Sequence, residues 1–203
     1  MDSKKNALSL EETSKNKRDE ILDEAAKLFK RKGFNGTSMQ DIASEVGILK
    51  GSIYYYFSSK NEIFREVLNN GINPVLIKAE YIMGKDLTPN DKLRELIKNH
   101  ISYILNNNYS LVIFFQEKEK ISENQTKEYV DSRNRYENMF RNVLQEGIKE
   151  GVFPNVDIHL TVFAIMGMCN WIIQWYNPNG TKSHDEITDH MVYLICDLML
   201  DNM

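Results

Sequence analysis

The sequence predicts an all-α protein. Apolar residues recur at steps of three and four through most of the chain, and no segment alternates apolar and polar residues as a half-buried strand would. Several such runs open on a serine or threonine with a carboxylate or amide side chain three residues on, the sequence mark of a capped helix start.

Residues 1–14 are polar, lack a sustained apolar repeat and read as a flexible arm. The first helix is expected from about Lys15 to Lys32, with Ile21, Leu22, Ala25, Leu28 and Phe29 on one stripe. Lys30, Arg31 and Lys32 complement the dipole of its last turn, and Gly33 supplies a left-handed stop. A second helix begins at Thr37, paired with Gln40 in a capping box, buries Met39, Ile42, Ala43 and Val46, and stops at Gly47. A short third helix runs from about Leu49 to Tyr56. A fourth starts at Ser59, boxed with Glu62, and turns Ile63, Phe64, Val67 and Leu68 inward. The remainder reads as helix broken at Pro74, at Thr88-Pro89, around Asn106 to Asn108, at Gly151 to Asn155 and at Asn177-Pro178-Asn179-Gly180. Ser183 and Glu186 then cap the last helix.

At 203 residues, with 42% hydrophobic and 27% charged content, the chain suits one compact body or two small ones. No run of 18 consecutive residues is purely apolar, and the residues after Met1 form no apolar block, so neither export nor membrane insertion is expected and the cytoplasm is the expected location. Cys169 and Cys196 lie in apolar helical patterns and read as reduced core thiols, with a redox switch as the alternative.

The net charge of −4 argues at first against a nucleic-acid partner, but its distribution does not. Residues 1–65 carry 12 Lys/Arg against 10 Asp/Glu, and the rest carry 13 against 19. Positive charge is segregated toward the N-terminus.

From Met39 to Tyr56 a helix, a Gly-containing turn and a short helix follow one another as in a helix-turn-helix, although a plain helical hairpin has the same periodicity. The surface chemistry of the third helix favours DNA. Gly51 inside it costs about 1 kcal/mol relative to Ala unless something approaches the backbone. Lys50 can meet phosphate or a guanine edge, and Ser52, Tyr54 and Tyr55 offer hydroxyls to bases or phosphates. Residues about 100° apart on a helix cannot all face one core, so Tyr54, Tyr55 and Tyr56 include at least one exposed ring. Thr37, Ser38 and Gln40 at the second helix, and Lys60 at the fourth, are expected beside flanking phosphates, a role compatible with capping.

Gly33-Phe34-Asn35-Gly36-Thr37-Ser38-Met39-Gln40-Asp41-Ile42-Ala43, then Gly47-Ile48-Leu49-Lys50-Gly51-Ser52-Ile53-Tyr54-Tyr55-Tyr56-Phe57 and Ser59-Lys60, resemble the DNA-binding domain of TetR-type repressors over about residues 15–68. Leu49 stands where members often carry a capping Ser, and Tyr55 where many have His, so base preference does not transfer. The resemblance implies three parts: a 1–14 arm, a three-helix helix-turn-helix domain over 15–60, and a helical effector-binding and dimerisation domain over 61–203. It also implies a homodimer on a near-palindromic double-stranded operator, with half-sites about one helical turn, roughly 34 to 36 Å, apart or a multiple of it.

Asp157 to Tyr176 is apolar around nearly its whole circumference, so that helix is expected to be buried on two sides, one of them against a second copy. Asp157, His159 and Asn170 interrupt it, and no membrane partner is expected. Ile187, Met191, Leu194, Ile195, Leu198 and Met199 add a second stripe that can complete an intermolecular four-helix bundle; the alternative is an intramolecular core. On the helix from about Glu123 to Glu150, Arg133 shares a face with Tyr129, Tyr136, Phe140 and Val143, where it either pairs with a carboxylate or meets an anionic ligand. Tyr103, Phe115, Arg133, Tyr136, Phe140, Met166, Asn170, Trp171 and Trp175 are the candidate lining of an effector pocket, with plain core as the alternative for the aromatic and Met residues.

Glu146-Gly147-Ile148-Lys149-Glu150-Gly151-Val152-Phe153, with Gly167-Met168-Cys169-Asn170-Trp171 and Trp175-Tyr176-Asn177-Pro178-Asn179-Gly180, is similar to the C-terminal half of TetR-type regulators of fatty-acid and sterol degradation. That likeness implies a small hydrophobic effector such as a fatty acyl-CoA. A cationic or aromatic drug is the rival, with Glu117 and Glu119 available to a cation or simply ending a solvated helix. A DNA-binding dimer with no effector is a third reading. No cofactor, metal or catalytic residue is expected: His184 and His190 lie roughly 240° apart on a helix, Asp185 and Asp189 suit a helix start, and no acid, base and nucleophile set is apparent.

Overall fold

The computed structural model describes residues 2–106, 109–117 and 123–200, with side chains from residue 16 onward and, in the third stretch, from residue 126. Every regular element among them is helical: α1 (Asp2–Lys32), α2 (Met39–Glu45), α3 (Lys50–Tyr56), α4 (Lys60–Met83), α5 (Pro89–Leu105), α6 (Tyr109–Glu117), α7 (Glu123–Lys149), α8 (Ile158–Trp175) and α9 (His184–Val192). A π-helical stretch, Tyr193–Met199, continues α9.

Two expected boundaries move. The backbone is helical from Asp2 rather than from about Lys15, through a segment rich in good helix formers such as Ala7, Leu8, Glu11 and Glu12. Pro74 does not break the chain but lies inside α4. It removes one backbone donor, while Ile72, Val75 and Leu76 around it are buried and hold the helix in place. Asn107 and Asn108 of the expected break lie outside the described residues.

The residues group into two compact units, one of Met1–Gly71 with Tyr109–Tyr129 and one of Ile72–Asn108 with Val130–Met203. The first therefore reaches past residue 60 and takes in α6. Its core explains why. Phe64 of α4 meets Phe34 at 4.8 Å and Phe29 of α1 at 5.7 Å between ring centroids, both edge-on. Such pairs add about 0.5–1.5 kcal/mol each beyond the area they bury. Ile63, Val67 and Leu68 are buried beside them, and α6 packs on α1.

In the second unit α5 packs on α8 and α9. Thr88 caps α5, its hydroxyl accepting from the Asp91 amide at 3.1 Å, with Pro89 in the first turn as expected. Ser183 and Glu186 form the expected box on α9, and the Ser183 amide, with Lys182, holds the Glu186 carboxyl down to about 2. An Arg94–Asp197 ion pair joins α5 to the chain's last turns.

At the end of α7, Gly151 has φ +72°. The amides of Val152 and Phe153 bond the Gly147 carbonyl at 2.8 and 3.1 Å, so Phe153 folds back onto Gly147. A Cβ at Gly147 would lie 2.2 Å from that ring. The glycines of the Glu146-to-Phe153 motif thus serve a helix end.

Candidate functional site

In the first unit α2 and α3 pack together across a turn in which Gly47 has φ +71°. Ser38, not Thr37, caps α2: its hydroxyl accepts from the Asp41 amide at 3.1 Å and the Asp41 carboxylate accepts from the Ser38 amide at 2.8 Å. Those bonds with Ser38, with help from Lys32, hold the Asp41 carboxyl well below the usual range. Thr37 is buried instead, its hydroxyl donating to the Gly33 carbonyl at 2.9 Å. Gln40, its expected partner, is exposed and turns its amide to Ser44 at 3.2 Å.

α3 is held from inside by Ile53, its buried residue, while Lys50, Gly51 and Ser52 are exposed. Leu49 precedes it without a side-chain cap, as its departure from the family pattern implies. Tyr55 is 80% exposed and Tyr54 49%, whereas Tyr56 is half-buried, its ring edge-on to Tyr55 at 5.1 Å. A Cβ added to Gly51 would meet nothing within 4 Å. Among the described residues no packing calls for glycine there.

Lys60 is placed differently from a solvated or phosphate-facing lysine. Its ammonium donates to the carbonyls of Phe34 and Thr37, both at 2.7 Å, and lies 4.2 Å from the Phe34 ring centroid. Burial lowers its pKa, partly offset by the nearby carboxylates of Asp41 and Glu117. Ser38, Gln40, Lys50, Gly51, Ser52, Tyr54 and Tyr55 thus remain accessible, while Thr37 and Lys60 support them from beneath.

The nine candidate pocket residues are divided between the two units and differ in burial. Phe115 belongs to the first unit, 47% exposed on α6. Trp171 and Trp175 point away from the core of the second unit at 65% and 50% exposure, on the face of α8 that also presents Leu160 and Phe163. Arg133 pairs with Glu137 at 3.2 Å, the ion-pair alternative. Met166 is buried on the inner side of α8.

Tyr103, Tyr136, Phe140 and Asn170 do gather, around a residue the sequence reading assigned no role: His100. Its ring lies 5.7 Å from Tyr136 in a stacked pair, 6.5 Å from Phe140 and 6.4 Å from Tyr103, and its Nε2 is 3.1 Å from the Asn170 side-chain oxygen. The available signal was its position three residues before Tyr103, which places both on one face of α5. Burial pushes His100 down to about 4 and so keeps it neutral, outweighing the Asn170 bond that favours its charged form. Nearby Cys169 is pushed up to about 12 and Cys196 to about 11, both by burial, so neither thiol is a ready nucleophile.

Glu117 differs from both expectations. It neither ends a solvated helix nor waits for a cation: it is buried, and its carboxylate accepts from the Phe34 amide at 3.1 Å. Glu119 lies outside the described residues.

Residues 21–67, which hold this helix-turn-helix, match the model for bacterial regulatory proteins of the tetR family, and residues 86–199 match a tetracyclin repressor-like C-terminal domain. The chain belongs to the TetR family. This TetR-family regulator is 30% identical over 182 residues to the HTH-type transcriptional repressor KstR2 of Mycolicibacterium smegmatis, covering 88% of each chain. The structure of the ketosteroid transcriptional regulator KstR2 of Mycobacterium tuberculosis superposes with a TM-score of 0.83 at 26% identity, over 90% of this chain and 94% of that one. AibR, solved in complex with isovaleryl coenzyme A and operator DNA, shares the fold with a TM-score of 0.79 at 22% identity, over 89% and 98%. The TetR-family chain is accordingly a DNA-binding transcriptional regulator and not an enzyme.

Proposed function

We propose that this regulator is a repressor that binds a palindromic operator as a homodimer and is released from it by a small hydrophobic effector such as a fatty acyl-CoA. The observation that carries the DNA half is the outer face of α3, where Gly51 has open space around it and Tyr54 and Tyr55 stand exposed beside Lys50. A backbone bare of side chain, flanked by a cation and hydroxyls, suits close approach to a DNA strand.

The dimer half rests on α8. Its 18 residues have a mean hydropathy of 1.3, apolar enough by length and composition alone to cross a bilayer, yet only 28% of them are buried. Val162, Ile165, Cys169 and Ile172 fill the core, while Leu160, Phe163, Trp171 and Trp175 face outward and Leu198 is exposed beyond α9. A second copy covering that face satisfies the two-sided burial expected of the helix and the symmetry of a palindromic site. The DNA-reading role then falls to the first unit, and effector binding and dimerisation to the second, in the cytoplasm.

The effector half is supported by AibR, which shares the fold and was solved with an acyl-coenzyme A, and by the aromatic cluster around His100. The cationic-drug alternative loses Glu117, already bonded to Phe34.

Operator binding by the full chain, titrated with salt and then with decanoyl-CoA, tests the reading. Lys50→Ala is expected to weaken binding and flatten the salt dependence. Decanoyl-CoA at 100 times its Kd is expected to stabilise the protein by about 2.7 kcal/mol and to release the DNA. Full affinity in Lys50→Ala would remove α3 as the reading helix. Absence of both stabilisation and release would remove the acyl-CoA effector.

A further inference from the structure

Two buried polar atoms in the second unit have hydrogen-bonding capacity that the described residues leave unused. Nδ1 of His100 and the hydroxyl of Tyr136 are both buried without a hydrogen-bond partner, on rings stacked at 5.7 Å and inclined by 24°. The Asn99 side chain favours the ionised form of the Tyr136 hydroxyl against the burial that disfavours it, yet meets that oxygen at no ordinary hydrogen-bond geometry. The Asn99 amide donates to the Val75 carbonyl at 2.9 Å, and Phe140 stands edge-on to both rings.

The bond to Asn170 fixes what His100 can accept. An amide oxygen only accepts, so Nε2 carries the ring proton and Nδ1 is a bare lone pair that needs a donor. The Tyr136 hydroxyl can donate to an oxygen in turn. A ketone or thioester carbonyl could serve Tyr136 but would leave Nδ1 unmet. A carboxylate has no proton to give, and an ammonium would bring a charge into surroundings already dry enough to keep His100 neutral. A hydroxyl both donates and accepts, and carries no charge.

We propose that His100 and Tyr136 form a subsite for an alcohol, so that the effector of this regulator is an apolar molecule bearing an uncharged hydroxyl that donates to His100 Nδ1 and accepts from Tyr136. This rests on the reading of the second unit as the seat of a small hydrophobic effector, and it narrows that class to hydroxylated members. Asn170 is the positioning residue that sets the tautomer.

The test uses 1-decanol and its near-isosteric ether 1-methoxynonane, which can accept but not donate, titrated into the full-length protein by calorimetry, with decanoyl-CoA run alongside. The alcohol is expected to bind about 10-fold more tightly than the ether, the factor attached to one hydrogen bond. In His100→Phe, which keeps a ring and loses the acceptor, that ratio should fall to near one. In Tyr136→Phe, a conservative change that removes only the hydroxyl, both probes should weaken alike and the ratio should persist. Equal binding of alcohol and ether to the wild type means that the two atoms are met by water alone and overturns the inference while the hydrophobic-effector reading stands. Failure of alcohol, ether and decanoyl-CoA alike to bind or to release operator overturns both.

Discussion

The Glu117 carboxylate, on α6, accepts a hydrogen bond from the backbone amide of Phe34 at the end of α1, 3.1 Å away. The same oxygen would lie 2.8 Å from a Cβ on Gly33, whose φ is +74°. Lys60 grips the other side of this loop through the carbonyls of Phe34 and Thr37. A loop of the first unit is thus held between a carboxyl group on one helix and an amine on another.

Truncating Glu117 leaves a buried amide unmet. Glu117→Ala is expected to cost about 1–3 kcal/mol in urea unfolding, while Glu117→Gln, which keeps an acceptor, should cost less than the alanine variant. Equal stability of Glu117→Ala and wild type would show that water replaces the carboxylate.

Gly51→Ala separates stability from recognition. No described residue opposes a methyl group there, so the variant is expected to be about 1 kcal/mol more stable, from helix propensity alone. Operator affinity should nonetheless fall by roughly 10-fold, because the methyl would stand in the proposed DNA contact. Unchanged affinity in a gel-shift titration contradicts that placement of the DNA.

Acid should act through His100. Its ordinary pKa of 6.5 falls to about 4 in the fold, so between those values the unfolded chain binds a proton that the folded chain does not. Stability is therefore fully present above pH 6.5 and declines as pH falls toward 4, by roughly 3 kcal/mol in all. His100→Gln should lose this component. Parallel stability curves for variant and wild type from pH 7 to 4 would refute it.

Trp171 distinguishes a dimer face from a pocket. Trp171→Glu is expected to yield a helical monomer in light scattering, with operator binding weakened accordingly. A dimer that had lost only its ligand would place Trp171 in the pocket after all.

The helix-turn-helix was readable because its apolar steps, its Gly47 stop and the misplaced Gly51 all point one way. The cap was not, since Thr37-Ser38 offers two hydroxyls and Gln40-Asp41 two partners, and only the inward turn of Thr37 separates them. Pro74 misled because proline forbids one hydrogen bond, not a helix clamped by packing on either side of it. Trp171 and Trp175 have the hydrophobicity of a pocket lining, and composition does not say which side of α8 is covered. His100 and Glu117 escaped notice because their roles depend on residues distant in sequence, Asn170 and Phe34.

That α6 belongs to the first unit, with the helix-turn-helix, bears on how such regulators can be recombined. The head is assembled from two separate stretches of chain, Met1–Gly71 and Tyr109–Tyr129. A chimera that transplants the first stretch alone gives α1 a foreign α6 and the Phe34 amide a stranger's side chain. Modularity here follows the packing rather than the order of the gene, and a transplantable head carries its Glu117 with it.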